Sequence, residues 1–133
     1  MIKKVHHIAV VVKNLDEALE LYENLFGAKP SKIETIQQQG VKVALLPIAE
    51  GGEIELLEPI DPQSSVAKFL ENRGEGIHHI CFEVENVDQE LCMLADKGAQ
   101  LIDKRGRLGL AGKVGFIHPK STKGVLIELA QKV

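Results

Sequence analysis

The chain has no tryptophan, one tyrosine and four phenylalanines in 133 residues. Most of these five (Tyr22, Phe26, Phe69, Phe82 and Phe116) read as core, which leaves little with which to hold an aromatic substrate. Cysteine is equally scarce. Cys81 and Cys92 are too few for a disulfide framework and lack a zinc spacing, so a reduced, cytoplasmic protein is expected. The longest aliphatic run, Ile8 to Val12, is far short of the roughly 18 residues that a membrane span needs. The charged start Met1-Ile2-Lys3-Lys4 is followed by no apolar h-region, so no secretory signal is expected. Nor is there a positive excess: 16 Lys and Arg face 19 Asp and Glu, a net charge of −3. A duplex-binding domain is normally basic, which argues against nucleic acid as a partner. With 44% hydrophobic and 26% charged residues, an ordinary globular chain forming one domain over residues 1–133 is expected.

What the chain does contain is an internal repeat. Val5-His6-His7-Ile8-Ala9-Val10 parallels Ile77-His78-His79-Ile80-Cys81-Phe82, a shift of 79 − 7 = 72. Asn14-Leu15-Asp16 parallels Asn86-Val87-Asp88 at the same shift, Gly27-Ala28 parallels Gly98-Ala99 at 71, and Ile54-Glu55-Leu56 parallels Ile127-Glu128-Leu129 at 73. Four correspondences in one order indicate a duplicated module: module one over about 5–58, a linker helix within about 59–76, and module two over about 77–130.

Within module one, Val5 to Val12 reads as a strand. Leu15, Ala18, Leu19, Tyr22, Leu25 and Phe26 have helical spacing, with Asn14 or Asp16 as N-cap and Gly27 as C-cap. Ile33–Ile36 and Val41–Leu46 read as a hairpin around Gln37-Gln38-Gln39-Gly40, and Ile54–Leu57 as a fourth strand ended by Pro59. Between the modules, 65–72 forms a short helix with Val66, Phe69 and Leu70 inward. Module two reads as strand 77–84, helix 88–97, a short strand 99–102, and strands 114–118 and 125–130. The fold class expected is α+β, with two tandem βαβββ modules forming one cupped mixed sheet and one continuous core.

Strand side chains alternate between faces. The bulky residues Ile8, Val10, Val12 and Ile80, Phe82, Val84 belong against helices, which turns His7 and His79 to the opposite face, with Cys81 and Glu83 alongside His79. The same parity turns Glu55 and Glu128 away from the helices. Two imidazoles and two carboxylates in repeat-related pairs suit a divalent ion such as Mn, Co, Ni, Fe or Zn, with positions left for water or substrate. Any one of the four alone would read as a solvated surface residue; a glutamate in the middle of each Ile-x-Leu strand needs a stronger reason. His6 and His78 face the helix layer and read as buried residues or supports of the ligands. His118 reads as a turn histidine before Pro119, and Cys81 as a small wall residue. Lys104, Arg105, Arg107 and Lys113 lie in a glycine-rich stretch. It reads equally well as a mobile flap meeting phosphates or as a solvated connection, while Lys120 and Ser121 read as lining the mouth of a cavity.

A βαβββ repeat with His and Glu at these places resembles the vicinal oxygen chelate superfamily, which includes glyoxalase I, the extradiol dioxygenases and the methylmalonyl-CoA epimerases. Three stretches resemble the epimerase family in particular: Glu58-Pro59 with Ser65-Val66-Ala67-Lys68-Phe69-Leu70, then Gly76-Ile77-His78-His79-Ile80-Cys81, and His118-Pro119-Lys120-Ser121 with Gly124-Val125-Leu126-Ile127-Glu128-Leu129. A glyoxalase I usually has Asp-Pro-Asp-Gly before its final metal glutamate, and tends to carry an arginine where this chain has Lys13-Asn14. The resemblance implies one divalent ion per chain, held by His7, Glu55, His79 and Glu128, and a cytoplasmic homodimer acting on a small acyl-CoA. It implies epimerisation at C2 of methylmalonyl-CoA, with Glu128 as one base. Some relatives have glutamine where Glu55 stands and a glutamate where Val43 stands; here the opposite base would be Glu55 or a metal-bound water. A glyoxalase I-like lactoylglutathione lyase, or a non-enzymatic ligand-binding member of the fold, are the competing functions. Binding members generally lack the metal set.

Overall fold

Asn14 and Asn86, equivalent in the repeat, open equivalent helices. Each has extended backbone, and its side-chain oxygen accepts from the backbone N–H three residues on, at Glu17 and Gln89. Gly27 closes the first helix in the left-handed region at φ 68°. The structure, a computed structural model, describes residues 1–132; Val133 lies outside them. Its elements are β1 (Ile2–Val11), α1 (Leu15–Phe26), β2 (Lys32–Ile36), β3 (Val41–Pro47), β4 (Glu53–Pro59), α2 (Ser65–Arg73), β5 (Gly76–Val84), α3 (Val87–Asp96), β6 (Arg107–Gly109), β7 (Gly112–Ile117) and β8 (Ile127–Gln131). Among the described residues no helix is long and apolar enough to cross a membrane.

The chain divides into two compact units, but not at the module boundary. Ile8–His78 form one, and Met1–His7 join the chain from His79 onward in the other. The division runs through β1 and β5, so His7, which opens module one in sequence, belongs with the unit that holds His79 and Glu128.

In the Ile8–His78 unit the strand order is β2-β3-β4-β1. β3 and β4 are antiparallel, with Leu45 opposite Glu55, Ala44 opposite Leu56 and Val43 opposite Leu57. Residues directly opposite share a face, so Val43, Leu45, Leu57 and Glu55 lie on one side. Ala44, Leu46 and Leu56 lie on the other, packed with Val12 and with Leu15, Ala18, Leu19 and Tyr22 of α1. The turn before β3 needs Gly40. Its φ is +65°, and a Cβ there would sit 2.6 Å from the Asp61 Cβ, while its carbonyl accepts from the N–H groups of Ile60 and Asp61.

In the other unit the order is β1-β5-β8-β7-β6. β5 and β8 are parallel, with Cys81 opposite Glu128; β7 and β8 are antiparallel, with Phe116 opposite Glu128. The helix-facing side buries Val84, Val87, Leu91, Ile117, Ile127 and Leu129. On the reverse side Cys81, Val114 and Ala130 form a smaller cluster.

Two sequence expectations need correction here. Residues 99–102 are not a strand; only Leu101 bridges to Ile117. The glycine-rich stretch contains the β6–β7 hairpin, which spacing does not predict, with Arg107 opposite Val114 and Gly109 opposite Gly112. Two aspartates clamp it. Asp88 accepts from Gly106 N at 2.7 Å and pairs with the Lys113 ammonium, and Asp103 accepts from Phe116 N at 2.8 Å and from Arg107 Nε at 3.3 Å. The three glycines, 106, 109 and 112, mask the strand pattern locally, and one of the aspartates that hold it, Asp88, comes from α3, before the hairpin.

Candidate metal centre

β1, β5 and β8 bring His7, His79 and Glu128 to one point. His7 Nε2 lies 3.1 Å from His79 Nε2, and each of these nitrogens lies 3.1 Å from Glu128 Oε1. All three residues are buried, at 2%, 6% and 7% exposure. Parity does this: His7 and Glu128 sit on the strand faces opposite the helices, and the β5–β8 register sets Glu128 beside Cys81, two residues along from His79.

Three donor atoms at equal spacing fit one cation. Ligands at about 2.1 Å from one ion stand about 3.0 Å apart at right angles and about 3.4 Å apart at the tetrahedral angle. The observed 3.1 Å lies between the two. A second observation agrees. Glu128 Oε1 is buried and, among the described residues, is left without a well-formed hydrogen bond. A buried acceptor without a donor is costly unless a cation satisfies it. Burial by itself would push the Glu128 carboxyl up, but the adjoining His7 and His79 outweigh it and lower it to about 2. Glu128 is therefore a carboxylate throughout the physiological range, as a ligand must be.

The imidazoles are braced. The Phe116 ring packs edge-on against His79 at 5.5 Å between centroids, and the Arg107 guanidinium lies 5.6 Å from the Phe116 ring centre. Spacing in the sequence does not single out Phe116 for this task, since its position opposite Glu128 depends on strand register alone. His6, half-buried, places Nδ1 2.8 Å from His7 Nδ1. Cys81 is fully buried in the wall cluster with Val114 and Ala130, as expected of a small wall residue.

Glu55 belongs to the Ile8–His78 unit. It is 7% exposed and lies on the face turned away from α1, among Val43, Leu45 and Leu57. His78 packs edge-on to Phe69 of α2 at 5.0 Å, turned toward a helix as parity required. His118 caps the turn Pro119–Thr122, its Nδ1 accepting from Lys120 N. The Ser121 hydroxyl accepts from Gln100 N at 2.7 Å. Lys104 and Arg105 line a groove of about 820 Å³ along α3 with Asp88, Leu91, Cys92 and Gln100.

Residues 6–117 match the profile of the Glyoxalase/Bleomycin resistance protein/Dioxygenase superfamily. The chain belongs to that superfamily. The mitochondrial methylmalonyl-CoA epimerase of Dictyostelium discoideum is 39% identical over 133 residues, 98% of this chain and 80% of that protein. The ethylmalonyl-CoA/methylmalonyl-CoA epimerase of Cereibacter sphaeroides is 37% identical over 98% of this chain and 99% of its own length. Among solved structures, a Streptomyces coelicolor methylmalonyl-CoA epimerase variant in complex with 2-nitronate-propionyl-CoA superposes with a TM-score of 0.91 at 34% identity, covering 100% of this chain and 96% of that one. The relatives in this superfamily thus carry the activity that the sequence resemblance implied.

Proposed function

We propose that this chain is a divalent-metal-dependent epimerase that interconverts the 2R and 2S forms of methylmalonyl-CoA. The observation that carries the reading is the buried triangle of His7 Nε2, His79 Nε2 and Glu128 Oε1, in a chain whose near full-length relatives bear that name. Glu55, the repeat counterpart of Glu128, is proposed as the fourth ligand. A bound ion would supply Lewis-acid stabilisation for the negative charge that develops on the thioester oxygen. The two imidazoles and Glu128 hold that charge compensation in a water-poor setting, where it has the most effect.

The chain's own task is the proton on C2. Inversion requires a group on each face of the planar enolate, one removing the proton and one returning it. We assign Glu128 to one face. Its low pKa keeps it ready to accept a proton at neutral pH, and makes it a weak base that depends on strong stabilisation of the enolate. We assign Glu55 to the other face, since Val43, on the same face of its own strand pair, can carry no proton. We further propose that the two modules act as one domain, and that the chain works as a cytoplasmic homodimer on a free acyl-CoA.

Proton NMR of methylmalonyl-CoA in heavy water tests the reaction. The expected result is deuterium at C2 and interconversion of epimers, abolished by a chelator and restored by cobalt. No exchange in cobalt-loaded protein would overturn the epimerase reading. The hemithioacetal of glutathione and methylglyoxal would then be the next substrate to try.

A further inference from the structure

We propose that Arg107 is a specificity-determining residue that holds a phosphate of the coenzyme A part of the substrate. This rests on the acyl-CoA part of the reading above and not on the metal ion or the proton-transferring groups. Residues 103–113 carry four cations, Lys104, Arg105, Arg107 and Lys113, and one acid, Asp103, in a chain with a net charge of −3. The hairpin sorts those cations by face. Lys104 and Arg105 line the groove along α3, and the Lys113 ammonium pairs with Asp88 of that helix. Arg107 is opposite Val114, which is opposite Ala130, and these two share the reverse-side cluster with Cys81. Residues directly opposite share a face, so Arg107 alone of the four stands on the face that bears His79, Phe116 and Glu128.

The guanidinium is both near the triangle and oriented. Its carbon lies 5.6 Å from the Phe116 ring centre, which lies 5.5 Å from that of His79. It is therefore no further from the His79 ring than those two lengths together. Asp103 fixes its direction, with Oδ1 accepting from Arg107 Nε at 3.3 Å and Oδ2 accepting from Phe116 N at 2.8 Å. Among the described residues nothing accepts from Nη1 or Nη2. Those atoms hold the remaining donors of the planar fork, which matches the paired oxygens of a carboxylate or phosphate.

Methylmalonyl-CoA offers that chemistry twice, in its C2 carboxylate and in its phosphates. Position favours the phosphates. β6 is the edge strand of the sheet and the Arg107 side chain is 50% exposed, a setting that leaves a multiply charged phosphate partly hydrated. The C2 carboxylate, by contrast, is attached to the reacting carbon and must lie at the buried triangle. Reach agrees, since an extended pantetheine arm advances about 1.2 Å per bond and sets the first phosphate up to about 17 Å from the thioester carbon.

Isothermal titration calorimetry with propionyl-CoA and propionyl-pantetheine tests the contact, because both lack the C2 carboxylate and only the first carries the coenzyme's phosphates. The readout is the ratio of the two affinities within one protein, which cancels any general damage to the fold. Wild type should prefer the CoA ester, and Arg107→Gln should reduce that preference about 10- to 100-fold. Arg107→Lys, which keeps the charge and loses the fork, should reduce it less. High salt should erode the preference more in wild type than in Arg107→Gln. An unchanged ratio in Arg107→Gln would overturn the proposal. Equal weakening of both esters would overturn it too, in favour of a guanidinium that only braces Phe116. A loss confined to methylmalonyl-pantetheine, with both propionyl esters unaffected, would overturn it in favour of a contact with the C2 carboxylate. Wild type that binds neither propionyl-CoA nor methylmalonyl-CoA would instead defeat the acyl-CoA reading itself.

Discussion

At the scale of single residues the site depends on which carboxylates remain ionised and where they stand. Glu128 is held at about 2 by two imidazoles against the opposing effect of burial, from an ordinary value of 4.5. Because its folded pKa is depressed, the stability it contributes is complete above about pH 4.5 and is lost as pH falls towards 2. Unfolding free energies of the chelator-treated protein and of Glu128→Gln should converge over that window, by up to about 3 kcal/mol. A gap that stays constant from pH 5 to pH 3 would show that the imidazoles do not hold the carboxyl down. Glu55 permits a separate test, since a glutamine there can still ligate but cannot move a proton. Glu55→Gln should exchange the C2 proton of one epimer with solvent while interconversion falls at least about 100-fold. Val43 and Glu55 lie on one face of adjacent strands as diagonal neighbours. Adding Val43→Glu to Glu55→Gln should therefore recover part of the interconversion. Full activity in Glu55→Gln alone would remove Glu55 from the proton pathway.

At the scale of elements, the β6–β7 hairpin shows how a short clamp replaces strand length. β6 has only three residues, and the stretch around it is held by Asp88 and Asp103. Asp88 sits in the first turn of α3, where its charge also complements the helix N-terminus. The Lys113 ammonium and the Gly106 N–H both lower its carboxyl below the usual range. Asp88→Ala should speed amide hydrogen exchange across residues 104–113 and leave exchange in β8 unchanged. Equal exchange in wild type and variant would show that the hairpin holds itself. The helix starts, by comparison, are legible from sequence because a cap needs only local spacing: an asparagine and an N–H three residues later. Helix capping requires no knowledge of the rest of the fold.

At the scale of the whole molecule, two hydrophobic clusters lie under the helices, one containing Leu15 and Leu56, the other Leu91 and Leu129. Leu15 and Leu91 are both fully buried. Leu15→Ala and Leu91→Ala should each cost about 2–5 kcal/mol. If the two modules act as one domain, both variants shift a single urea transition that is the same by circular dichroism and by tyrosine fluorescence. Tyr22 packs against the Leu15 cluster, so two separable transitions would show up as a mismatch between those probes.

The sequence alone is enough to establish the duplication, the helix boundaries, and which side of each strand its polar residues occupy, since all three depend on spacing within a few residues or on the repeat itself. Spacing and the repeat together therefore mark His7, Glu55, His79 and Glu128 as candidate ligands. They do not place 99–102 or the hairpin at 107–114, because those depend on the partner strand at Ile117 and on Asp88 reaching Gly106. Nor do they show that Met1–His7 join the second unit, that His7, His79 and Glu128 meet at 3.1 Å, or that Phe116 braces His79. Periodicity determines the face on which a side chain lies. Only strand register, a product of tertiary pairing, decides which side chains share a point on that face.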